Sequence, residues 1–404
     1  MSLNQAKILI GVSGGIAVYK IPNLVRLLRK AGAEVQVMMT DSAREFVTPL
    51  TFEAVSQRPV YTSLWQGGSG MIATRHIDLA TWSDLVLIAP ATANLLAKLA
   101  WGLADDFVTT VLSATPRPIL LSPAMNPEMW ENRATQENLV RLKHLGYEII
   151  DPDEGSMACE TVGVGRMPEP ETLYAVIEKY LQEESALREK LSGRKVIVTA
   201  GPTREAIDPV RYLSNRSSGK MGYAIARAAV SAGADTTLIS GPVALDPVRG
   251  ASMHYIETTD SLCKEVMTHF ESADCLIMAA APADFAPSSV SKTKIKKQAG
   301  SPADIPLSPT IDILSRVSSS RKSHQRVVGF ALETDHALAN AKSKLTEKKL
   351  DLIVLNSLSD PGAGFEHDTN KLTLIHKGGK SENWPLMSKR EAAIRLIRIV
   401  ANLF

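Results

Sequence analysis

Twice in this chain a short apolar run ends in a glycine-bearing loop that leads toward a helical pattern, and this constrains the fold most tightly. The first instance joins the run Lys7–Val12 to an amphipathic pattern over residues 16–31 that stops at Gly32. The second starts at residues 195–199, just after the break Ser192-Gly193-Arg194. Further strand-like runs follow each opening. They are Glu34–Met39, 84–89 and 119–121 in the first half, and 236–240, 275–280, 326–330 and 351–355 in the second. Strands separated by helices of this length predict parallel sheets covered on both faces and joined by right-handed crossovers. The expected class is α/β, with ligands beyond the carboxyl ends of the strands.

At 404 residues the chain exceeds what one core usually serves, so two domains of roughly 200 residues are expected. Residues 169–189 are charged and free of glycine, with Leu173, Val176 and Ile177 at helical spacing. The boundary is therefore placed at about residue 190, giving domains 1–190 and 191–404. The two halves share a plan but no repeat that aligns residue by residue.

Basic and acidic residues number 45 and 43, a net charge of +2. That balance argues against nucleic acid or a membrane surface as the main partner, although a local basic pocket stays open. Apolar stretches such as 85–91 are too short to span a bilayer. The polar start runs straight into the first strand, so no signal peptide is expected. The three cysteines, Cys159, Cys263 and Cys275, form no CxxC pair, which points to a reducing cytoplasm.

The loop Gly11-Val12-Ser13-Gly14-Gly15-Ile16 closes the first strand. Glycines there allow positive φ and let backbone N–H groups approach a phosphate at a helix N-terminus. It is not a full GxGxxG, and the second strand ends in Met38-Met39-Thr40 with no acid to hold a ribose. A mononucleotide such as FMN therefore fits better than a dinucleotide; a plain tight turn also explains the loop. Small residues at Pro90, Ala91, Thr92 and Asn94 suit a flat ring against backbone, or a strand end followed by a helix N-cap. His76, Asn126 and Cys159 could carry chemistry. A lone histidine is more often structural and a lone cysteine inert, whereas a carboxamide directly after a buried strand can hold a carboxylate.

In the second half, about twenty residues separate the strand at 195–199 from a helix starting near Lys220. A βα loop this long is usually functional. Ser217, Ser218 and Gly219 before that helix form an anion cradle or a capped helix with a flexible lead-in, and Arg211 and Arg216 stand beside them. Lys292, Lys294, Lys296 and Lys297 are either a solvated loop or a counter-charge for a triphosphate.

The segments GVSGGIAVYK, APATANLLAKLAWGLADD, PAMNPEMW and GSMACE resemble the flavin-dependent cysteine decarboxylases, and more narrowly the phosphopantothenoylcysteine decarboxylases. TAGPTREAIDPVRYLSNRSSGKMG, AAPADF, KIKKQ and VGFALET resemble the phosphopantothenate–cysteine ligase domain that bacteria fuse behind that decarboxylase. The resemblance covers almost the whole chain. It implies a flavodoxin-like, Rossmann-type first domain and a Rossmann-like second one. FMN would be held by Gly11, Ser13, Gly14, Gly15, Thr40, Pro90, Ala91, Thr92 and Asn94, at a subunit contact. The family's flavin oxidises the substrate thiol to a thioaldehyde, CO₂ leaves, and the electrons return. His76 would assist the first step, Asn126 would grip the carboxylate and Cys159 would donate the final proton. In the ligase, CTP and Mg²⁺ would activate 4'-phosphopantothenate as an acyl-cytidylate, which the amine of L-cysteine attacks. Asn215 would act on the acyl-cytidylate and Lys294 on the phosphates. Met278, Ala279, Ala280, Asp284, Thr310, Ile311, Asp312, Ile313, Phe330, Lys344 and Lys348 would line the nucleotide site. Two positions depart from the family: Glu160 stands where glycine is usual, and Ile311 precedes Asp312 in place of proline. Magnesium ligands are not implied. A homo-oligomer is implied, with decarboxylase trimers or dodecamers and ligase dimers.

The rivals are a two-domain nicotinamide oxidoreductase, which needs the missing ribose acid, and a flavin-binding regulatory subunit, which need not keep the catalytic residues. A third is an active ligase behind a decarboxylase impaired at Glu160.

Overall fold

A computed structural model describes residues 3–65, 74–156, 161–296, 304–333, 336–357 and 367–404. The chain divides into two compact units, Met1–Glu183 and Glu184–Phe404. The division falls inside the helix Pro170–Leu191, ahead of the boundary expected at its end.

The first unit is built on a parallel sheet of five strands: β1 (Lys7–Val12), β2 (Glu34–Met39), β3 (Leu85–Ala91), β4 (Ile119–Pro123) and β5 (Glu148–Ile149). Their order is β2-β1-β3-β4-β5. Every residue of β3 and β4 is buried, as the continuous apolar runs require of strands covered on both faces. Successive side chains on β1 enter opposite cores: Ile8 and Ile10 pack with Leu24 and Leu28, and Leu9 packs with Ile88 and Val108. From β1 the chain goes to β2 on one side and to β3 on the other, so the order reverses between β1 and β3 and opens a crevice at their carboxyl ends.

One helix differs from expectation. Residues 16–31 form a short 3₁₀ turn, Ile16–Lys20, followed by an α-helix, Ile21–Lys30. Pro22 lies in the first turn of that α-helix. It has no N–H to donate and its ring crowds the carbonyl four residues back, so an α-helix cannot run through it unbroken.

The second unit holds an eight-stranded sheet. Ser252–Tyr255, Asp235–Ser240, Lys195–Ala200, Cys275–Met278, Arg326–Glu333 and Leu352–Ser357 are parallel neighbours in that order. The last two strands, Leu372–His376 and Ser381–Asn383, are antiparallel, so the sheet is mixed rather than all parallel. Leu372–His376 runs antiparallel to Leu352–Ser357, and Ser381–Asn383 pairs back on it through a tight connection closed by Gly379 N–H on His376 O and His376 N–H on Lys380 O. That connection leaves no length for the crossover that a parallel pair needs. The long loop after Lys195–Ala200 also carries structure of its own, an antiparallel pairing of Arg204–Ala206 with Tyr212–Ser214. Among the described residues no helix is long and apolar enough to cross a membrane.

Candidate active sites

The crevice of the first sheet opens into a cleft of about 840 Å³, within the usual range for small-molecule sites. Ser13, Gly14, Gly15, Thr40, Thr92 and Asn94 line it, and so does Asn126. Gly11, Pro90 and Ala91 do not; they are buried in β1 and β3 beneath it. Ser13 ties the two loops together: its Oγ donates to Pro90 O at 2.7 Å and accepts from Thr92 N–H at 3.0 Å. Thr92 in turn caps the helix Ala93–Trp101 through Leu95 N–H.

The glycine loop works by close approach, not by the positive φ expected of it: Gly11, Gly14 and Gly15 all have ordinary negative-side backbones. A Cβ on Gly14 would lie 2.4 Å from Ser42 Cβ and 2.8 Å from Ser42 O. Gly15 leads into the 3₁₀ turn with no side-chain cap on its first N–H groups, an arrangement that suits an anion.

Asn126 caps the helix Pro127–Glu131, its Oδ1 accepting from Glu128 N–H at 2.8 Å. The donor end of its amide is therefore Nδ2, the group that a substrate carboxylate needs. His76 is half-buried on the helix Arg75–Trp82 and is not among the residues lining the cleft. Cys159 and Glu160 lie outside the described residues.

Sequence reasoning noted Asp105 and Asp106 after the Thr92–Asn94 segment but gave no role to them or to the other charged groups of this cleft. Lys20 is only 7% exposed; its Nζ donates to Met167 O at 3.2 Å and to Glu169 at 2.8 Å. Lys20 and then Arg166 hold the Glu169 carboxyl below its ordinary value, against the opposing pull of desolvation. Lys98 Nζ meets Asp105 at 2.7 Å and Asp106 at 3.1 Å. The Asp105 contact raises Lys98, and the same contact lowers Asp105. Asp41 also lines the cleft, one residue past Thr40. An acid does therefore stand at the end of β2, and its supposed absence no longer counts against a nicotinamide cofactor.

In the second unit the strand order reverses between Lys195–Ala200 and Cys275–Met278. Asn215 reaches this switch point, its Nδ2 donating to Ala281 O at 3.1 Å and Pro282 O at 2.9 Å. Ala280 N–H donates to Thr199 Oγ1 at 3.0 Å, and Thr310 Oγ1 donates to Ala283 O at 2.6 Å. Thr310 N–H also binds Asp284 O at 2.9 Å. Asn215, residues 280–284 and Thr310 thus form one connected group.

Beside it, Asp312 caps the helix Ile313–Ser320 and pairs with Lys348 at 2.6 Å. Burial works to raise the Asp312 carboxyl, but Lys348 and Ser315 outweigh it and the net direction is down. Lys344 Nζ donates to Phe330 O at 3.5 Å. Met278 and Ile313 have their side chains in the core, which leaves only their backbones for a ligand; Ala279 and Ile311 are half-buried. Lys294 is exposed in a loop whose next residue, Ile295, is gripped by Asp208 and Arg211. Gly219, with φ of +75°, begins the helix Lys220–Ser231 without a side-chain cap. A further hollow of about 530 Å³, lined by Arg194, Asp274 and Phe404, lies at the opposite, amino ends of the strands, away from this group.

Two α/β sheets, each with a loop cluster at its switch point and the first with a cleft there, define a two-part protein of the α/β class with a candidate ligand site in each part. Residues 1–182 match the family model described as Flavoprotein, and residues 191–403 match the DNA/pantothenate metabolism flavoprotein C-terminal domain. The chain is 45% identical over 402 residues to the coenzyme A biosynthesis bifunctional protein CoaBC of Bacillus subtilis (strain 168), covering 99% of this chain and 98% of that one. It is 44% identical to the same-named protein of Vibrio vulnificus (strain YJ016), covering 100% and 99%. A crystal structure of the C-terminal domain of a CoaBC protein aligns at 36% identity and a TM-score of 0.46, covering 53% of this chain and 97% of that one. The chain belongs to the family of bifunctional coenzyme A biosynthesis proteins. It is an enzyme of that biosynthesis, with a flavoprotein decarboxylase part and a ligase part.

Proposed function

We propose that residues 191–404 join L-cysteine to 4'-phosphopantothenate using CTP, and that residues 1–190 then decarboxylate the product to 4'-phosphopantetheine using FMN. One observation carries the reading: the glycine loop, the Thr92–Asn94 segment and Asn126 converge on one cleft of suitable volume. The residues there fit FMN. Gly14 admits backbone contact, the first N–H groups of the 3₁₀ turn have no side-chain cap, and Thr92 and Asn94 offer polar edges for a flat ring.

FMN held there would supply reversible two-electron oxidation of the substrate thiol, so that the resulting C=S could accept the electron pair left when CO₂ departs and the electrons could then be returned. Asn126 holds that carboxylate through Nδ2, and Cys159 donates the last proton. His76 assists removal of the thiol proton. His76 does not line the cleft of its own chain and is therefore assigned to the subunit contact, facing the cleft of a neighbouring copy. Ile16 and Tyr19, 58% and 63% exposed at the cleft mouth, support such a contact, since exposed apolar residues gathered at one site favour a partner surface. The assembly is a homo-oligomer, with trimers or a dodecamer of the first part and dimers of the second.

In the ligase the phosphopantothenate carboxylate attacks the α-phosphorus of CTP and pyrophosphate leaves. The cysteine amine then attacks the acyl carbon and CMP leaves. Asn215 presents its Oδ1 to this intermediate, with Nδ2 occupied by two backbone carbonyls. Lys294 meets the phosphates, and Asp284, Phe330, Lys344 and Lys348 surround the nucleotide. Mg²⁺ accompanies the triphosphate as its counter-charge. The setting is the cytoplasm, in keeping with Cys263 and Cys275 as buried free thiols.

The test is to denature the purified chain and quantify the released flavin, and to supply preformed phosphopantothenoylcysteine without CTP. One FMN per chain and CO₂ release agree with the reading; a chain that binds no flavin contradicts it.

A further inference from the structure

Away from both sites, the edge of the eight-stranded sheet brings together three side chains of ligand type. His254 stands on the edge strand Ser252–Tyr255, and Glu265 and His269 lie one helical turn apart on the helix Thr259–Phe270. Among the described residues this is the one group of three or more such side chains whose ligand atoms all lie within 4.8 Å of one another. Glu265 Oε2 is 3.2 Å from His254 Nδ1 and 3.4 Å from His269 Nε2. Two ligands held at about 2.0–2.2 Å by a tetrahedral zinc ion stand about 3.4 Å apart. Two edges of the triangle therefore already have the length that an ion would impose.

The surroundings favour coordination as well. Ser252 Oγ lies 3.3 Å from His254 Nε2. An Nε2–H donated to it places the lone pair on Nδ1, the atom that faces Glu265, which is the outer support that metal-bound imidazoles generally have. The His254 and His269 rings meet edge to face at 4.3 Å, so neither blocks the other. All three side chains are about one-third exposed, at 32%, 38% and 29% for His254, Glu265 and His269. Solvent can thus fill a fourth position.

We propose that His254, Glu265 and His269 form a three-ligand site for a divalent ion of the zinc class, which fastens the edge strand to its helix. Two imidazole nitrogens and one carboxylate oxygen suit zinc, cobalt or nickel, and not magnesium, which prefers an all-oxygen shell. The site is thereby chemically separate from any ion that accompanies a nucleotide triphosphate. Its effect is on the stability of the sheet edge, because an ion that binds only the folded chain stabilises it.

The experiment uses the full chain, stripped of metal by a chelator and titrated with zinc against a chromophoric competitor, beside His254→Gln and His269→Gln. The wild type is expected to bind one zinc more per chain than either variant. At about 100-fold excess over its dissociation constant, zinc raises the wild-type melting midpoint by about 5 °C, and leaves the variants unmoved. Cobalt in place of zinc gives visible d–d absorption in the wild type that both variants lack. Glu265→Gln, of the same size, gives a third reading if a histidine variant does not fold. Equal zinc uptake by wild type and folded variants, or a wild-type midpoint that ignores zinc, overturns the proposal.

Discussion

Asp208 and Arg211 close around the backbone of Ile295. Arg211 donates to Asp208 Oδ2 at 2.5 Å and to Ile295 O at 2.8 Å, while Ile295 N–H donates to the same Asp208 oxygen at 3.1 Å. The Arg211 guanidinium holds the buried Asp208 carboxyl far below the ordinary carboxylate range, overriding the burial that would raise it. Ile295 follows Lys294 directly and lies between Lys292 and Lys296, so this clamp anchors the middle of the lysine loop.

Asp208→Asn keeps the shape of the clamp but removes its charge. Charge-assisted hydrogen bonds contribute about 1.5–3 kcal/mol each, so the KM for CTP is expected to rise about tenfold or more. Flavin content and decarboxylation of preformed phosphopantothenoylcysteine stay at wild-type levels. Steady-state kinetics of the two half-reactions checks this; an unchanged KM for CTP would remove the clamp from the account.

Gly14→Ala tests the close approach of the first loop. The added methyl would press on the Ser42 backbone, with its carbonyl carbon at 2.7 Å. Overpacking of this kind costs about 1–3 kcal/mol. Flavin occupancy, read from the ratio of flavin to protein absorbance, is expected to fall about tenfold at limiting FMN, with the ligase unaffected.

Asn215→Ala removes both the bonds to the Ala281 and Pro282 carbonyls and the Oδ1 beside them. Ligation is expected to stall by about 10²-fold or more, as when a single oriented polar group is lost from an active site. Decarboxylation continues. A variant that ligates at the normal rate would show that Asn215 only braces the loop.

The central strands were legible because their runs are buried on both faces, and β1 and β2 begin and end where the apolar runs do; the edge strands Glu148–Ile149 and Ser252–Tyr255, with exposed residues, were not read. The break at Pro22 was readable in principle, since a proline six residues into a helical pattern marks a first turn. Lys20 and Lys98 were not. Each sits among apolar chain neighbours, and the main partner of Lys20, Glu169, is 149 residues away. Only folding brings the charges together. The antiparallel edge was obscured for another reason: Ser381–Asn383 has three polar residues and no apolar alternation to announce a strand.

Lys389 gives a pH signature. Burial, reinforced by the charge of Lys220 and opposed by that of Asp368, pushes it down to about 8 from an ordinary 10.5. As pH rises through about 8 the folded chain releases this proton, while the unfolded chain keeps it until about 10.5. Between these values the unfolded state binds more protons, so this group's contribution to stability increases with pH. Melting midpoints of wild type and Lys389→Met across that window are expected to diverge in slope, with the wild type gaining relative to the variant as pH rises. Parallel curves would mean that Lys389 titrates normally.

The most direct test of the central claim, two successive activities on one chain, is mass spectrometry of the purified protein incubated with 4'-phosphopantothenate, L-cysteine, CTP and Mg²⁺. The account predicts 4'-phosphopantetheine, CMP and pyrophosphate in equal amounts. Phosphopantothenoylcysteine accumulating in place of 4'-phosphopantetheine would contradict the decarboxylase half, and no conversion by folded, flavin-loaded protein would contradict both.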